Sequence, residues 1–293
     1  MPDARAFAAE RGRLVRLAYR MTGSLAEAED VVQDAWLRWA GTAPGTVADP
    51  AAWLTRTVTR LCLDHLKSAR VRRETYVGAW LPEPLLGTAD PEPLADDLTL
   101  TLMLALERLS PLERAAFLLH DVFEVALPEV AATLDRAPAA VRQLAARARR
   151  HVAAARPRYM VDRAEAERIA AAFFAASRDG DSTALAGLLA ADVAIHADGG
   201  GRVLAFRNVI RGVDRVRRLY AGLARKHGDT PPVLLAMRWI DGLPGYVSRE
   251  RGDVVQTTAL ELRDGRIAAV YVVRNPDKLA HVIALHAAAA TRG

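Results

Sequence analysis

The sequence predicts a multidomain chain: two all-α helical domains, the second built around a helix-turn-helix, followed by an α+β domain. Three observations predict it. Apolar residues recur at helical spacing over residues 5 to 40 and again from about 98 to 156. After Pro157 the period shortens towards two, as strands require. Between the helical stretches, Pro82, Pro84, Pro91 and Pro93 exclude a regular helix over 81 to 97. A length of 293 residues suits two or three domains, and 51% apolar with 26% charged residues excludes a disordered, collagen-like or mucin-like chain. Cys62 is the single cysteine, so no intramolecular disulfide forms, and it reads as a small core residue. No basic-then-apolar leader or uncharged run of about 18 residues is present, so the chain reads as cytosolic with no membrane partner.

The first domain spans 1 to 76. Phe7, Leu14, Leu17 and Ala18 line one helix. Gly23 and Ser24 break it, and Ser24 with Glu27 forms a capping box for a second helix bearing Val31, Val32, Ala35, Trp36 and Trp39. Asp49 and Pro50 start a third, with Trp53, Leu54, Val58, Leu61, Cys62, His65 and Leu66 on its buried side and a basic end. Trp36, Trp39 and Trp53 read as core, and His65 as a satisfied core or boundary histidine and not a ligand. Residues 77 to 97 read as a Pro-rich acidic linker. The second helical domain spans 98 to 157. Within it Leu127 to Leu134 is a short helix, Asp135 to Ala137 a tight turn, and Pro138 opens a helix through Val141, Leu144, Ala145 and Ala148.

Residues 158 to 293 form the α+β domain. A helix from Arg163 to Ser177 turns Ile169, Phe173 and Phe174 inward, and a helical turn lies around Leu185 to Leu189. Strands are expected at Val193 to His196, Val203 to Phe206, Leu234 to Ile240, Tyr246 to Glu250, Val254 to Leu262 and Ile267 to Val273, with a hairpin turn at Asp264 and Gly265. A helix from Pro276 to about Ala289 closes the chain. The expected architecture is a curved, largely antiparallel sheet around a helix. His196 and Asp198 can be read as an acid-base pair, with Tyr271 and Trp239 lining a pocket, although the glycines at 199 to 201 suit a tight turn better than a ligand loop. No metal-ligand pattern is present, and no Lys-Ser/Thr follows those glycines, so neither metal nor cofactor is expected.

Net charge is +5, with 37 arginines and three lysines, Lys67, Lys226 and Lys278. Placement says more than the sum. Arg56, Arg60, Lys67, Arg70, Arg72 and Arg73 form one basic block against Asp64 alone, and Arg136 to Arg158 holds seven arginines and no acid. Glu83, Asp90, Glu92, Asp96 and Asp97 lie between them. Two basic blocks about an acidic spacer suit a grip on a polyanion at two places. In the helix-turn-helix, the second helix would place Ala139, Arg142 and Gln143 at base edges and leave Arg147, Arg149 and Arg150 free for phosphates.

Leu17-Ala18-Tyr19-Arg20-Met21-Thr22-Gly23-Ser24 and Ala28-Glu29-Asp30-Val31-Val32-Gln33-Asp34-Ala35-Trp36-Leu37-Arg38 resemble region 2 of extracytoplasmic-function sigma factors of the sigma-70 family. Ala52-Trp53-Leu54 with Leu63-Asp64-His65-Leu66 resembles that region's promoter-facing helix. Leu109-Ser110-Pro111-Leu112-Glu113-Arg114, with the helix-turn-helix after it, resembles region 4. Trp80-Leu81-Pro82-Glu83-Pro84, Asp198-Gly199-Gly200-Gly201-Arg202 and Asn275-Pro276-Asp277-Lys278-Leu279 resemble the subgroup with a fused SnoaL-like C-terminal domain of cone shape, the sigma-J type.

The resemblance implies a non-enzymatic sigma factor that directs core RNA polymerase to promoter DNA, with its C-terminal domain regulating it in cis. It implies polymerase contact through Asp30, Gln33, Asp34, Leu37 and Arg38. The minus-10 strand would meet Asp64, Lys67, Arg70, Arg72 and Arg73, and the minus-35 element Ala139, Arg142, Gln143, Arg147, Arg149 and Arg150. Many family members carry Asn where this chain has Arg60, so the base contact at that position does not carry over. The two C-terminal motifs would dock the linker motif, with Lys278 meeting Glu83 and Trp80 burial dominating. Two other readings stay open at this point: a helix-turn-helix regulator with a ligand-sensing domain, and a SnoaL-like isomerase or cyclase with a helical appendage. A small-molecule ligand of the C-terminal domain is not identified by the sequence.

Overall fold

The computed structural model describes residues 4–43, 45–74, 76–87, 100–153 and 162–290, without the side chains of 68–74, 227 and 287–290. Asp90, Glu92, Asp96 and Asp97 of the acidic spacer lie outside the described residues, as do the side chains of Arg70, Arg72 and Arg73. The chain divides into two compact units, one of residues 1–75 and 102–156, the other of 76–101 and 157–293.

The first unit is helical: α1 (Ala4–Thr22), α2 (Leu25–Ala40), α3 (Pro50–Glu74), α4 (Leu100–Glu107, shared across the division), α5 (Pro111–Phe117), α6 (Leu127–Leu134) and α7 (Pro138–Ala153). Local chemistry sets these limits. Gly23 turns the chain at φ 77°, and the Ser24 hydroxyl accepts the Glu27 amide at 3.3 Å to start α2. At α5 the Ser110 and Glu113 side chains each accept the other's backbone N–H, a complete capping box. Asp135 closes α6 in the left-handed region at φ 52°. Leu14, Leu17, Val32, Leu54, Val58 and Cys62 fill the core among α1 to α3, and burial pushes the Cys62 thiol up. Trp39 is buried against Trp53, with ring centres 5.4 Å apart.

Within this unit Arg114 of α5 is 2% exposed. Its Nη1 donates to Met21 O near the end of α1 at 2.6 Å, and its Nε and Nη2 donate to Leu106 O near the end of α4 at 3.0 and 2.7 Å. The guanidinium therefore satisfies carbonyls that a helix end leaves without partners.

In the second unit, seven strands form one sheet: β1 (Leu86–Gly87), β2 (Leu189–Asp198), β3 (Ile210–Arg211), β4 (Val233–Ile240), β5 (Leu243–Glu250), β6 (Val254–Arg263) and β7 (Arg266–Val273), in the order β1-β4-β5-β6-β7-β2-β3. Pairing is antiparallel except between β2 and β7. Asp264 and Gly265, at φ 53° and 71°, make the expected hairpin turn. Helices α8 (Arg163–Asp179), α9 (Ser182–Leu188) and α10 (Val213–His227) accompany the sheet, and α11 (Pro276–Ala290) follows β7. Val193, Ile195 and Ala197 of β2 face a core shared with Phe173 and Phe174 of α8 and Val216 of α10.

Three expectations are corrected. Val203 to Phe206 is a loop, because the amides of Arg202 and Val203 both return to Gly199 O and turn the chain away from the sheet. The sequence reading places no element between 206 and 234, where α10 and the short β3 lie. The segment read as irregular linker contributes a strand, since Leu86 and Gly87 pair with Ile240 and Trp239.

Candidate functional site

On α2, Asp30, Gln33, Asp34, Leu37 and Arg38 fall on one stripe and all are exposed, Leu37 by 61%. Among the described residues none of the five side chains makes a hydrogen bond or ion pair. The stripe is an apolar knob set in unpaired charge, ready to meet another surface. Val31, Val32 and Ala35 bury the opposite side of the helix and fix its orientation.

Near the end of α3, Asp64 and Lys67 are exposed and pair with each other at 2.8 Å. Arg60 donates through Nε to Thr133 O on α6 at 3.4 Å. His65 Nε2 meets Glu27 Oε1 at 2.9 Å, which makes it the boundary histidine expected.

On α7, Val141, Leu144, Ala145 and Ala148 are buried, which leaves Ala139, Arg142, Gln143, Arg147, Arg149 and Arg150 exposed on the outer side. Arg147 and Arg149 are not free, contrary to expectation. Arg147 Nε sits 2.9 Å from Glu113 Oε1, and Arg149 Nε sits 2.6 Å from Asp121 Oδ1. The acids lie on α5 and the turn after it, against which α7 packs, so the second half of α7 is partly neutralised by its own scaffold. Arg147 helps hold the Glu113 carboxyl below its ordinary range, after the Ser110 hydrogen bonds and against burial, which raises it. Arg142, Gln143 and Arg150 carry no such pairing among the described residues.

The second unit assembles a polar centre around Asp198, which has no solvent exposure. Its Oδ1 accepts the Tyr76 hydroxyl at 2.5 Å and the Gly200 amide at 3.0 Å. Its Oδ2 accepts the Leu81 amide at 2.9 Å and Lys278 Nζ at 2.8 Å. Four donors on one buried carboxylate offset its desolvation. Lys278 also donates to Leu81 O and lies 4.2 Å from the Trp80 ring centre and 5.2 Å from that of Tyr76. Asn275 caps α11 by accepting the Asp277 amide at 3.1 Å and donates through Nδ2 to the Tyr76 hydroxyl at 3.1 Å. Burial and the Asp198 carboxylate push the Tyr76 phenol up, so it stays a donor.

The rest of the motif residues close around this centre. Gly200, at φ 62°, packs so near Asn275 that a Cβ would collide with its side-chain amide, and Gly199 is crowded by Val203 O. Arg202 meets Asp277 at 3.2 Å across exposed surface. Leu81, Pro82, Glu83, Pro84 and Leu279 are buried. Lys278 therefore pairs with Asp198 and not with Glu83, because the strand end bearing Asp198 points at the first turn of α11. Glu83 is met instead by His281, one turn on: Nδ1 lies 3.3 Å from Glu83 Oε1 and Nε2 lies 2.8 Å from Pro84 O. Trp80 is half-buried under the ammonium, and Leu81, 1% exposed, supplies the apolar burial expected of it.

The acid-base reading of His196 and Asp198 is not supported by this arrangement. Both Asp198 oxygens are occupied. His196 stacks on Tyr271 at 5.2 Å, while Trp239 packs against the core on the other side and donates to Glu167 at 2.8 Å. Among the described residues no group of three or more His, Cys, Asp or Glu is placed to hold a metal, and no helix is long and apolar enough to cross a membrane. Sequence reasoning missed the roles of Tyr76, His281 and Arg114. Tyr76 was read only as a domain boundary, Arg114 stands in the region 4 motif with no role assigned, and His281 lies just beyond the motif that ends at Leu279.

Comparison with known proteins shows the family. Residues 6–72 match the family model Sigma-70 region 2, and residues 99–152 match Sigma-70, region 4. The chain is 42% identical over 290 residues to the ECF RNA polymerase sigma factor SigJ of Mycobacterium tuberculosis, covering 93% of this chain and 91% of the relative. It is 33% identical over 284 residues to the probable ECF RNA polymerase sigma factor SigI of the same organism, covering 95% of each. The crystal structure of Mycobacterium tuberculosis extracytoplasmic function sigma factor SigJ superposes with a TM-score of 0.76 at 36% identity, over 95% of this chain and 98% of that one. With both sigma-70 regions present in order and a full-length relative at that identity, the chain belongs to the extracytoplasmic-function RNA polymerase sigma factors, which are initiation factors and not enzymes.

Proposed function

We propose that this cytoplasmic sigma factor carries core RNA polymerase to specific promoters through three separate surfaces, and that its SnoaL-like α+β domain regulates it in cis by holding the segment between regions 2 and 4. The α2 stripe of Asp30, Gln33, Asp34, Leu37 and Arg38 engages polymerase. The basic end of α3, with Asp64, Lys67, Arg70, Arg72 and Arg73, meets the minus-10 strand. Arg142 and Gln143 read the minus-35 element, with Ala139 beside them, and Arg150 holds a phosphate. Arg147 and Arg149 reach phosphates only after exchanging Glu113 and Asp121 for them.

The observation that carries the regulatory reading is the buried Asp198 carboxylate gripping Tyr76 and Leu81. A flexible spacer needs no such anchor. The anchored segment joins the region 2 helices to those of region 4, so its release lengthens the free tether between two promoter contacts. The test is transcription in vitro with core polymerase on the cognate promoter, comparing the full chain with Asp198→Asn and Leu81→Asp. Core polymerase alone should give no specific transcript, and both variants should change the initiation rate. Unchanged rates and promoter preference with a released segment would make the C-terminal domain a passenger.

A further inference from the structure

A cavity of about 90 Å3 lies in the second unit between α8, α10 and the strands β2, β5, β6 and β7. Its walls are largely apolar, with Phe174, Ile195, Leu223 and Val272 among them. Against that background its polar groups are few and incompletely used. Arg274 donates through Nη1 to Leu204 O at 2.9 Å, but its Nε is buried with no partner. Tyr220 also lines the cavity, and among the described residues its hydroxyl makes no hydrogen bond. Burial pushes that phenol well up, so it remains a donor. Glu250, also in the lining, accepts from Ser248 Oγ at 2.8 Å. Arg178, also in the lining, is paired at 2.7 Å with Asp179.

A buried guanidinium N–H left without an acceptor costs free energy, and here the missing acceptor is a planar oxyanion. The single negative charge of Glu250 nearby counts against a dianion such as phosphate and against any acid with a second carboxylate. Volume limits the remainder. A cavity of about 150 Å3 holds benzene, or about 25 Å3 per non-hydrogen atom, so this one takes about three or four such atoms. We propose that this cavity is a binding site for a short-chain monocarboxylate, its carboxylate on Arg274 and Tyr220 and its alkyl end against the apolar walls.

The test is ligand-observed NMR titration of the full-length protein with sodium acetate at constant ionic strength, with acetamide as the uncharged molecule of the same shape. Acetate should bind saturably and at least about tenfold more tightly than acetamide, the difference a charge-assisted hydrogen bond makes. Arg274→Gln should weaken acetate by about tenfold or more. Since Arg274 also holds Leu204, Tyr220→Phe provides a second test that removes one hydroxyl from an otherwise unchanged wall, and it should weaken acetate severalfold. No saturable acetate binding, equal binding of acetamide, tighter binding of benzoate, or an unchanged affinity in folded Tyr220→Phe would each overturn the proposal.

Discussion

Lys278 Nζ lies 2.8 Å from Oδ2 of Asp198, a carboxylate with no exposure to solvent, while the lysine side chain itself is only 12% exposed. An exposed ion pair contributes little, but removing one member of a buried pair leaves an uncompensated charge. Lys278→Met should therefore destabilise the second unit by about 3–5 kcal/mol. Chemical denaturation followed by circular dichroism measures it. Adding Asp198→Asn should recover part of the loss, since the orphaned charge is then gone. A loss below about 0.5 kcal/mol would show that water reaches the carboxylate.

A second pair in the same unit makes stability depend on pH. His281 presents Nδ1 to the buried Glu83 carboxylate and Nε2 to Pro84 O, and only the protonated ring carries a hydrogen on both nitrogens. Its pKa is raised above 6.5 chiefly by the Glu83 hydrogen bond, with Pro84 O and the charges of Glu83 and Asp241 adding to it and burial opposing it. A raised folded pKa means that the contribution is fully present below 6.5 and is lost as pH rises through the folded value. The unfolding midpoint of the wild type should fall across that window more than that of His281→Gln. Parallel pH curves for the two proteins would show that the ring is neutral throughout.

On α2 the expected outcome separates binding from folding. Asp34→Arg combined with Arg38→Glu touches exposed side chains that have no partners among the described residues, so stability should stay within about 0.5 kcal/mol. Affinity for core polymerase should fall by about tenfold or more. Fluorescence anisotropy with labelled protein reads the second quantity, and thermal unfolding the first.

The α2 stripe was legible because the positions 30, 33, 34, 37 and 38 repeat at helical spacing and the buried residues between them are uniformly apolar. The helix-turn-helix was legible from Pro138 and the Asp135 turn. What stayed hidden depends on contacts far apart in sequence. Lys278 and Asp198 are 80 residues apart, and no local pattern tells a lysine to choose that acid over Glu83. The apolar run Val203 to Phe206 looks like a strand, yet Leu204 is 80% exposed there because the glycine turn carries the segment off the sheet. Helix α10 has no side-chain cap to mark its start after Gly212, although Val213, Val216, Leu219, Tyr220 and Leu223 recur at helical spacing.

Arg114 joins parts of the first unit that the sequence reads as separate domains. Its guanidinium donates to Met21 O and Leu106 O and pairs with Glu107 at 2.7 Å, all at 2% exposure. Arg114→Leu keeps the apolar volume but strands two carbonyls and a carboxylate. It should cost about 3–5 kcal/mol, while Arg114→Lys, a point donor without the fork, should recover only part of that. Urea titration of the three proteins checks the order.

Promoter reading gives the sharpest contrast, because residues on one helix should fail in different ways. Arg142 lies in the first turns of α7, exposed and without an ion pair among the described residues, where a recognition helix meets base edges. Arg142→Ala should cost about 1–3 kcal/mol on the cognate minus-35 element and relax preference at one position, leaving unrelated sequences little changed. Arg150 is exposed and has no ion pair among the described residues either, but it sits near the helix end. Arg150→Ala should weaken all sequences alike and reduce the salt slope by about one. Arg147→Ala should do less than either in free energy of binding. Its guanidinium already holds Glu113 at 2.9 Å, so moving to a phosphate breaks one ion pair to make another. Electrophoretic mobility shifts of the holoenzyme over a range of salt, on cognate and scrambled elements, resolve the three behaviours. Equal losses for Arg142→Ala on both elements would remove it from base reading and leave it as one more phosphate contact.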